Sequence, residues 1–369
     1  MTPDPALSRR MSRPALHRLL RTLACLALML GVALPAAIAK PRKHAVRAEK
    51  EAELVTYGQR DDVMRFADEV ADRHGLDAAS VRDALAQARF VPSVTRFIMP
   101  PPAGTAKNWM AYRDRFVEPR RIAAGVAFWD ANEEWLKLAE ERYGVPPEMI
   151  VGIVGVETIY GQQMGSFRAI DALATLSFDF PGGRSDRSGF FRSELENYLL
   201  LCQQEVVDPL SWNSSYAGAI GMPQFMPSSI AAHAVDFDGD GRIDLHASTA
   251  DVIGSVASFL ARAGWQRGLP THFDVAAPVE TRDRAWLLAP DILPSFTAQE
   301  FAARGAVLDD AAKAYDGKLA LVELQNGDAA PSFVAGTSNF YVVTRYNWSS
   351  CYAMAVIALG DAVKRQRGR

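Results

Sequence analysis

The chain has 369 residues, of which 49% are hydrophobic, and its 40 Lys and Arg residues nearly balance 43 Asp and Glu residues, for a formal net charge of -3. This length and composition are typical of a globular protein of roughly two to three domains. Because a nucleic-acid-binding surface needs a clustered excess of basic residues, the near balance argues against nucleic acid as a partner.

Residues 1–39 have the layout of a cleavable secretory signal. Several arginines precede an apolar run at 23–35, and the small residues Ala37 and Ala39 follow it. The run is shorter than the roughly 20 residues of a membrane-spanning helix, so cleavage is favoured over a retained anchor. Lipid attachment at Cys25 is disfavoured, because apolar residues continue after it. We expect a periplasmic protein, and membrane association stays open.

Two cysteines remain after export, Cys202 and Cys351. An oxidising compartment would allow them to form a disulfide. Two buried, unpaired cysteines are the favoured alternative, and the spacing does not decide between the two.

The mature chain divides by its patterns into a leader, two helical domains and a small β-containing domain. A charged, flexible leader is predicted at 40–60. An N-terminal helical domain at 61–145 follows, with helices at about 61–75, 78–89 and 119–143. Prolines at 92 and 100–102 predict an irregular crossing within it.

The second helical domain is predicted at 146–268, with five helices at about 147–160, 168–177, 188–204, 228–235 and 249–263. From 269 to 347 the pattern predicts β-structure: a hairpin of 319–324 and 332–336 around Asn326-Gly327, then a run at 340–346 rich in β-branched and aromatic residues. Residues 348–369 hold a final helix, at about 349–363, that packs on the helical body. The predicted fold class is mainly α (α+β).

Glu157 is the one carboxylate in the apolar stretch GIVGVETIYG at 152–161. In a helix, it lies on the same face as Ile150, Ile153 and Val154. A carboxyl among apolar groups has a raised pKa and can serve as a proton donor near neutral pH. The alternatives are pairing with a buried Arg or Lys, or capping of a neighbouring loop.

The segment GAIGMPQFMPSS at 218–229 is a glycine-rich loop with one amide, Gln224. Glycine allows backbone groups to approach a ligand closely. The loop matches neither phosphate-binding pattern, and it suits a sugar polymer, with its hydroxyl and N-acetyl groups, better.

Several blocks together resemble one family. They are RRIAAGVAFW at 120–129, ETIYG at 157–161, DALATLSFDFP at 171–181, SYAGAIGMPQFMPSS at 215–229, DFDGDGRIDL at 236–245 and NFYVVTRYN at 339–347. In this order, over about 60–363, they resemble the B-type lytic murein transglycosylases. The resemblance implies a lysozyme-like helical catalytic domain, flanked by the N-terminal helical domain and the small β-containing domain.

The resemblance also implies an activity. It is cleavage of the β-1,4 bond between N-acetylmuramic acid and N-acetylglucosamine in peptidoglycan, with Glu157 as the catalytic acid and no catalytic cofactor. A single carboxyl then acts first as acid and then as base, and the C6 hydroxyl of the muramic sugar closes a 1,6-anhydro ring. The alternatives are a hydrolytic, lysozyme-like muramidase and a non-catalytic peptidoglycan-binding scaffold.

The resemblance implies further contacts with the glycan strand. The candidate substrate-binding residues are Ser215, Gln224, Tyr160, Asn339, Tyr341 and Tyr346. Core packing is the alternative role for each aromatic residue among them. The expected partner is the peptidoglycan glycan strand, bound by a monomer, and the cell-wall synthesis or division machinery is a candidate protein partner.

The run DFDGDGRIDLHASTAD at 236–251 has the oxygen-donor spacing of a calcium loop, with Gly241 at the sharp turn. Position 12 is Ala247, where an EF-hand has a bidentate Glu, and Asp251 in the next helix is expected to replace it. The predicted ligands of a structural calcium ion are Asp236, Asp238, Asp240, the Arg242 carbonyl, Asp244 and Asp251. A solvated acidic turn without an ion is the alternative.

Overall fold

The computed structural model describes residues 55–100, 107–183 and 185–369. These residues belong to one compact unit, Lys50–Arg369. The expected signal at 1–39, with Cys25, lies outside the described residues, as does the leader up to residue 54. None of the helices in the described residues is long and apolar enough to span a membrane.

The architecture is mainly helical, as predicted. After a short 3-10 helix at Tyr57–Gln59, the helices are α1 Asp61–His74, α2 Ala78–Ala86, α3 Pro92–Phe97, α4 Trp109–Asp114, α5 Pro119–Ala131, α6 Glu133–Tyr143, α7 Pro147–Thr158, α8 Ala169–Phe178, α9 Ser188–Gln204, α10 Pro227–His233, α11 Thr249–Arg262, α12 Thr281–Leu288, α13 Ala298–Ala303, α14 Asp310–Ala314, α15 Ser338–Tyr346 and α16 Ser350–Arg367. The strands are β1 Phe167–Arg168, β2 Asn213–Ser214, β3 His272–Ala276, β4 Val307–Leu308, β5 Ala320–Asn326 and β6 Ala329–Gly336.

The end of the predicted flexible leader is ordered. Tyr57 is only 2% exposed, and its hydroxyl donates a 2.6 Å hydrogen bond to Asp179. Arg60 also donates to Asp179, with two 2.9 Å hydrogen bonds. Order therefore begins before Asp61, because a buried aromatic ring anchors the segment to the helical body.

One long helix was predicted at 119–143, and the structure has two, α5 and α6. The break is at Asn132, whose side-chain amide donates to the Phe128 carbonyl and whose backbone leaves the helical region. An Asn side chain that bonds its own backbone competes with the helix in this way. Pro92, expected in an irregular crossing, instead begins the short helix α3, where proline fits the first turn.

The predicted hairpin is confirmed as β5 and β6, joined at Gly327. The sheet is antiparallel with strand order β4-β3-β6-β5, and Val322 lies opposite Val334. A separate small core fills one face of this sheet, with Leu287, Phe301 and Leu321 buried in it. The predicted domain boundaries at 145 and 268 stay predictions.

The β-rich run at 340–346 is not a strand but lies in helix α15. Thr337 caps this helix by accepting a hydrogen bond from the Asn339 backbone, and Phe340 and Val343 enter the main core. Tertiary packing of the apolar face outweighs the local preference of β-branched residues for strands. Cys202 and Cys351 are free cysteines in the structure, of which Cys202 is buried and Cys351 half-buried.

Helix α7, which carries Glu157, lies unusually close to the last helix, α16. A Cβ atom on Gly152 would overlap the backbone carbonyl of Val356, and a Cβ on Gly360 would overlap that of Glu148. Two glycines therefore allow the backbones to touch, and α16 covers the helix of the candidate acid.

We expect Gly152→Ala to lower the free energy of unfolding by about 1–3 kcal/mol, because the added methyl group meets a backbone atom that cannot rotate away. Urea denaturation measures this change. Gly189→Ala is the matched control, since nothing lies within 4 Å of a Cβ at that helical position, and alanine there favours the helix. Equal stabilisation by both alanines would contradict the close packing.

Candidate active site

Glu157 lies at the penultimate position of α7, on the face formed by Ile150, Ile153 and Val154, which are each fully buried. The Glu157 side chain itself is partly exposed. The apolar setting that helical periodicity predicts is thus confirmed.

The backbone after Glu157 is strained. Ile159, Tyr160 and Gly161 have φ values of 51°, 56° and 87°. A β-branched residue such as Ile159 rarely adopts this left-handed conformation. Thr158 stabilises the turn, because its hydroxyl donates to the Met222 carbonyl at 2.9 Å and accepts from the Gly161 amide at 3.0 Å. Strain of this kind is concentrated at functional sites.

The partner of Glu157 is the hydroxyl of Tyr352, which donates a hydrogen bond to Oε1 at 2.5 Å. Burial raises the pKa of Glu157 to about 7, against the hydrogen bond from Tyr352, which lowers it. Among the described residues, no Arg or Lys pairs with this carboxyl, so pairing with a buried cation, one of the alternatives, is wrong. A pKa near neutrality suits an acid that must also act as a base.

Two other tyrosines, Tyr346 and Tyr112, act on the same region. The ring of Tyr346 stacks on that of Tyr352, with centroids 6.3 Å apart, and its hydroxyl donates to the Pro223 carbonyl at 2.6 Å. Burial raises the pKa of Tyr346 and of Tyr352 well above the usual value, so both stay protonated. Burial also raises the pKa of the half-buried Tyr112.

The glycine-rich loop adjoins the end of α7, as the Thr158–Met222 hydrogen bond shows. Gln224 has a left-handed backbone with φ of 52°, and its side-chain amide donates to the Met164 and Gly221 carbonyls. The Ser215 hydroxyl accepts from the backbone amides of Ala217 and Ala219. Both predicted residues shape the loop, and the Gln224 carbonyl oxygen remains as an acceptor.

The structure does not bring the other candidate residues to Glu157 in the expected way. Asn339 is fully buried and holds the chain at 266–269 through its amide, so it does not face a ligand. The Tyr160 hydroxyl points between α5 and α7, with its ring stacked on Phe128 at 5.1 Å. The Tyr160 ring therefore packs in the core, which was the alternative to a contact with the glycan strand. Tyr341 lines a separate surface hollow with Gln266 and Tyr315.

Tyr352 was missed as a site residue. In the sequence it occupies an apolar position of the last helix, with the periodicity of a core residue. Only the path of α16 across α7 shows that its hydroxyl meets Glu157, 195 residues earlier in the chain.

In the acidic loop, ligand atoms of Asp236, Asp238 and Asp251 lie within 4.8 Å of one another. Asp251 is 1% exposed, and its two carboxylate oxygens accept from the backbone amides of Phe237 and Asp244. Burial raises the pKa of Asp251, and the charges of Asp238 and Asp236 raise it further. Three converging carboxylates fit a hard divalent cation.

The remaining predicted ligands of the loop lie outside this group of three carboxylates. Asp240 accepts from the Arg242 amide, and Asp244 accepts from the amides of His246 and Ala247. These hydrogen bonds fix the loop backbone. Asp251 thus reaches back to the start of the loop, which is the position expected of a replacement for the missing Glu at Ala247.

The raised pKa of the Glu157 carboxyl, at the end of a buried helix beside a glycine-rich loop on a mainly helical scaffold, fits a lysozyme-like class of carbohydrate-cleaving enzyme. The family model of the Transglycosylase SLT domain matches residues 58–361. The chain belongs to this lytic transglycosylase family, and it is a peptidoglycan lytic transglycosylase.

Three relatives illustrate the similarity. The membrane-bound lytic murein transglycosylase B of Escherichia coli (strain K12) is 39% identical over 319 residues, covering 84% of this chain and 85% of that protein. An E. coli lytic transglycosylase solved in complex with calcium has a TM-score of 0.74 at 36% identity, covering 89% of this chain and 100% of that chain. SltB3 from Pseudomonas aeruginosa, solved with NAG-NAM-pentapeptide, has a TM-score of 0.69 at 28% identity, covering 84% of this chain and 80% of that chain.

Proposed function

We propose that Glu157 is the single acid and base of this transglycosylase. The observation that carries the proposal is the Glu157 carboxyl, whose pKa burial raises to about 7. Among the described residues, no second carboxylate shifts this pKa. Most glycosidases need two carboxylates, one of which activates water or attacks the sugar. One carboxyl suffices when the nucleophile belongs to the substrate.

The reaction has two proton transfers. Protonated Glu157 gives its proton to the glycosidic oxygen, the bond between C1 of N-acetylmuramic acid and that oxygen breaks, and the N-acetylglucosamine end leaves. The Glu157 carboxylate then takes the proton of the C6 hydroxyl while the O6 atom attacks C1. The product is a 1,6-anhydromuramyl end, and the carboxyl returns to its protonated form.

Tyr352 positions the carboxyl and supports its charged form between the two transfers. Its hydrogen bond to Oε1 favours the carboxylate. Burial disfavours the carboxylate, and the balance of the two effects keeps both protonation states accessible near neutral pH. The loop residues Ser215 and Gln224, together with Tyr341 and Tyr346, are proposed contacts of the glycan strand.

Digestion of purified sacculi tests the reaction type. Mass spectrometry of the released muropeptides separates the two outcomes, because the anhydro product is lighter than the hydrolysed product by one water. Anhydro ends support the transglycosylase, and reducing ends in their place would favour the hydrolytic muramidase.

The proposal includes a structural calcium ion and a periplasmic location. Asp236, Asp238 and Asp251 would hold the ion, which would fix the loop that follows Gln224. The relative solved with calcium supports this assignment. The signal pattern at 1–39 and the location of the substrate support export to the periplasm, where the enzyme acts as a monomer.

Tyr352→Phe is expected to raise the pKa of Glu157 above about 7, because the hydrogen bond that it removes stabilises the charged form. The alkaline limb of the kcat/KM profile therefore moves to higher pH. Tyr346→Phe is the matched control, since its hydroxyl bonds to Pro223 and not to Glu157. A limb that stays in place in Tyr352→Phe, or moves to lower pH, would contradict the assignment.

A further inference from the structure

We propose that Thr158 is a positioning residue that fixes the Glu157 carboxyl against the glycine-rich loop. The inference rests on the proposed function, because it concerns the acid of that reaction. Thr158 follows Glu157 in the chain, at the last position of α7. Its side chain is 0% exposed, so it acts through its neighbour and not on the substrate.

The hydroxyl of Thr158 bonds outside its own helix. A threonine within a helix can donate to the carbonyl four residues earlier, and here that carbonyl, of Val154, is 3.4 Å away. The Met222 carbonyl is closer, at 2.9 Å, and takes the single hydroxyl proton. The hydroxyl oxygen also accepts from the Gly161 amide at 3.0 Å. One side chain thus joins the end of α7, the turn after it and the glycine-rich loop.

The turn that Thr158 holds is one that the chain does not favour by itself. Ile159 and Tyr160 are successive non-glycine residues in the left-handed region, with φ values of 51° and 56°. Residues in this region keep their conformation only where the surrounding contacts impose it. The Thr158 hydroxyl supplies such a contact, because it holds the Gly161 amide at the far end of the turn. Loss of the hydroxyl would therefore loosen the turn and the end of the helix that carries Glu157.

The acceptor of the Thr158 hydrogen bond is itself held in place. The Met222 amide donates to the Leu245 carbonyl at 2.8 Å. Gly221 has a φ of 72°, and a Cβ atom at this position would overlap the same Leu245 carbonyl. Thr158 therefore bonds to a fixed point of the loop backbone.

The hydrogen bond between Thr158 and Met222 closes a circuit of contacts around the acid. Glu157 accepts from Tyr352, whose ring stacks on that of Tyr346. The Tyr346 hydroxyl donates to the carbonyl of the residue after Met222. In order, the members of the circuit are Glu157, Tyr352, Tyr346, Pro223, Met222 and Thr158. Without the Thr158 hydroxyl, the circuit is open on the side of the loop.

The two members of the circuit that belong to α7 fix the rotation of the helix end as well as its position. Successive residues of an α-helix project about 100° apart. Glu157 therefore meets α16, and Thr158 meets the loop, on different sides of the helix end. A rotation of the helix end about its axis would strain both hydrogen bonds, so the pair sets the direction of the carboxyl.

Placement matters for this reaction, because a proton transfer needs donor and acceptor at hydrogen-bond distance. The glycine-rich loop carries Ser215 and Gln224, which are proposed contacts of the glycan strand. Thr158 ties the acid to that loop, so the proton donor keeps its place relative to the bound sugar. A misplacement of about 1 Å can lower a rate by about a hundredfold.

Thr158→Val tests this role, because valine keeps the shape of threonine and lacks the hydroxyl. We expect kcat for the release of anhydromuramyl ends from soluble glycan strands to fall about 10- to 100-fold. KM should stay within about twofold, since the buried Thr158 side chain does not reach the substrate. Thr158→Ser, which keeps the hydroxyl, should hold kcat within about threefold of the wild-type value.

Thr175→Val is the matched control for a purely structural effect. Thr175 in α8 is also 0% exposed, and its hydroxyl likewise accepts from a backbone amide, of Val91 at 3.0 Å, and donates to a backbone carbonyl, of Arg89 at 3.3 Å. These bonds run to the segment after α2 and not to the loop beside Glu157. Thermal melting should show a loss of stability in both valine variants, and only Thr158→Val should lose kcat at a temperature where all variants are folded.

If Thr158→Val does not fold, Thr158→Ala replaces it, because alanine removes the hydroxyl without placing a methyl group against the Met222 carbonyl. Full kcat in the variant without the hydroxyl, or an equal loss of kcat in Thr158→Ser or in Thr175→Val, would overturn the positioning role. Each of these results would leave the chemistry of Glu157 standing. Release of no anhydromuramyl ends by the wild-type protein would instead overturn the proposed function.

Discussion

Glu157→Gln is expected to lose about 10²- to 10⁴-fold or more in turnover of peptidoglycan, since an amide neither gives nor takes the proton that both steps require. The substitution preserves the shape of the side chain, and Oε1 of the amide still accepts the hydrogen bond from Tyr352. Binding of glycan strands should therefore persist. Muropeptide release measured by mass spectrometry and binding to sacculi measured by sedimentation give the two quantities.

Glu148→Gln is the control for this prediction. Glu148 lies at the start of the same helix and pairs with Lys364 at 2.7 Å, away from the pocket. Its replacement should leave turnover within about twofold, as expected of a surface salt bridge. Undiminished release by Glu157→Gln would exclude Glu157 as the acid. The non-catalytic scaffold would be favoured if the wild-type protein itself released nothing.

Calcium is expected to raise the melting temperature of the wild-type protein by several degrees. An ion that binds only the folded state stabilises it by about 2.7 kcal/mol at 100 times Kd. Asp251→Asn removes the buried anionic ligand and should abolish this calcium-dependent rise. Differential scanning calorimetry with calcium and with a chelator measures both proteins.

Asp310→Asn is the control, because it removes a carboxylate outside the acidic loop and shows whether the loss of any carboxylate abolishes the calcium-dependent rise in melting temperature. Asp310 is an exposed acid near the sheet, paired with Lys313. It should retain the full response to calcium. If the wild-type protein showed no calcium heat in titration and no shift in melting temperature, the acidic loop would be a solvated turn.

The sequence predicted the parts of the site that depend on local spacing. Helical periodicity placed Glu157 on an apolar face. The oxygen-donor spacing indicated Asp236 and Asp238, and the missing acid at Ala247 indicated Asp251 as its replacement; Asp240 and Asp244, which the same spacing predicted, lie outside the group of three carboxylates. Both arguments need only the geometry of one helix or one loop. The hairpin at Asn326-Gly327 was predictable for the same reason, since a turn of this kind has a local signature.

The parts that failed depend on contacts across the chain. Periodicity gave Tyr352 a core position but could not show which carboxyl its hydroxyl would meet. The residues at 340–346 favour a strand by their local propensity. They form a helix instead, because the helix packs Phe340 into the main core. Asn339 was expected at the glycan strand, but its amide is used to bind the carbonyls of Gln266 and Leu269.

The distance along the chain between Glu157 and Tyr352 has a consequence for the order of folding events. Tyr352 lies 195 residues after Glu157, so the carboxyl acquires this hydrogen-bond partner only after the last helix has docked on α7. In the unfolded chain, Glu157 has the acidity of an ordinary exposed glutamate. The raised pKa of Glu157 is therefore a property of the folded chain that depends on both ends of the catalytic region.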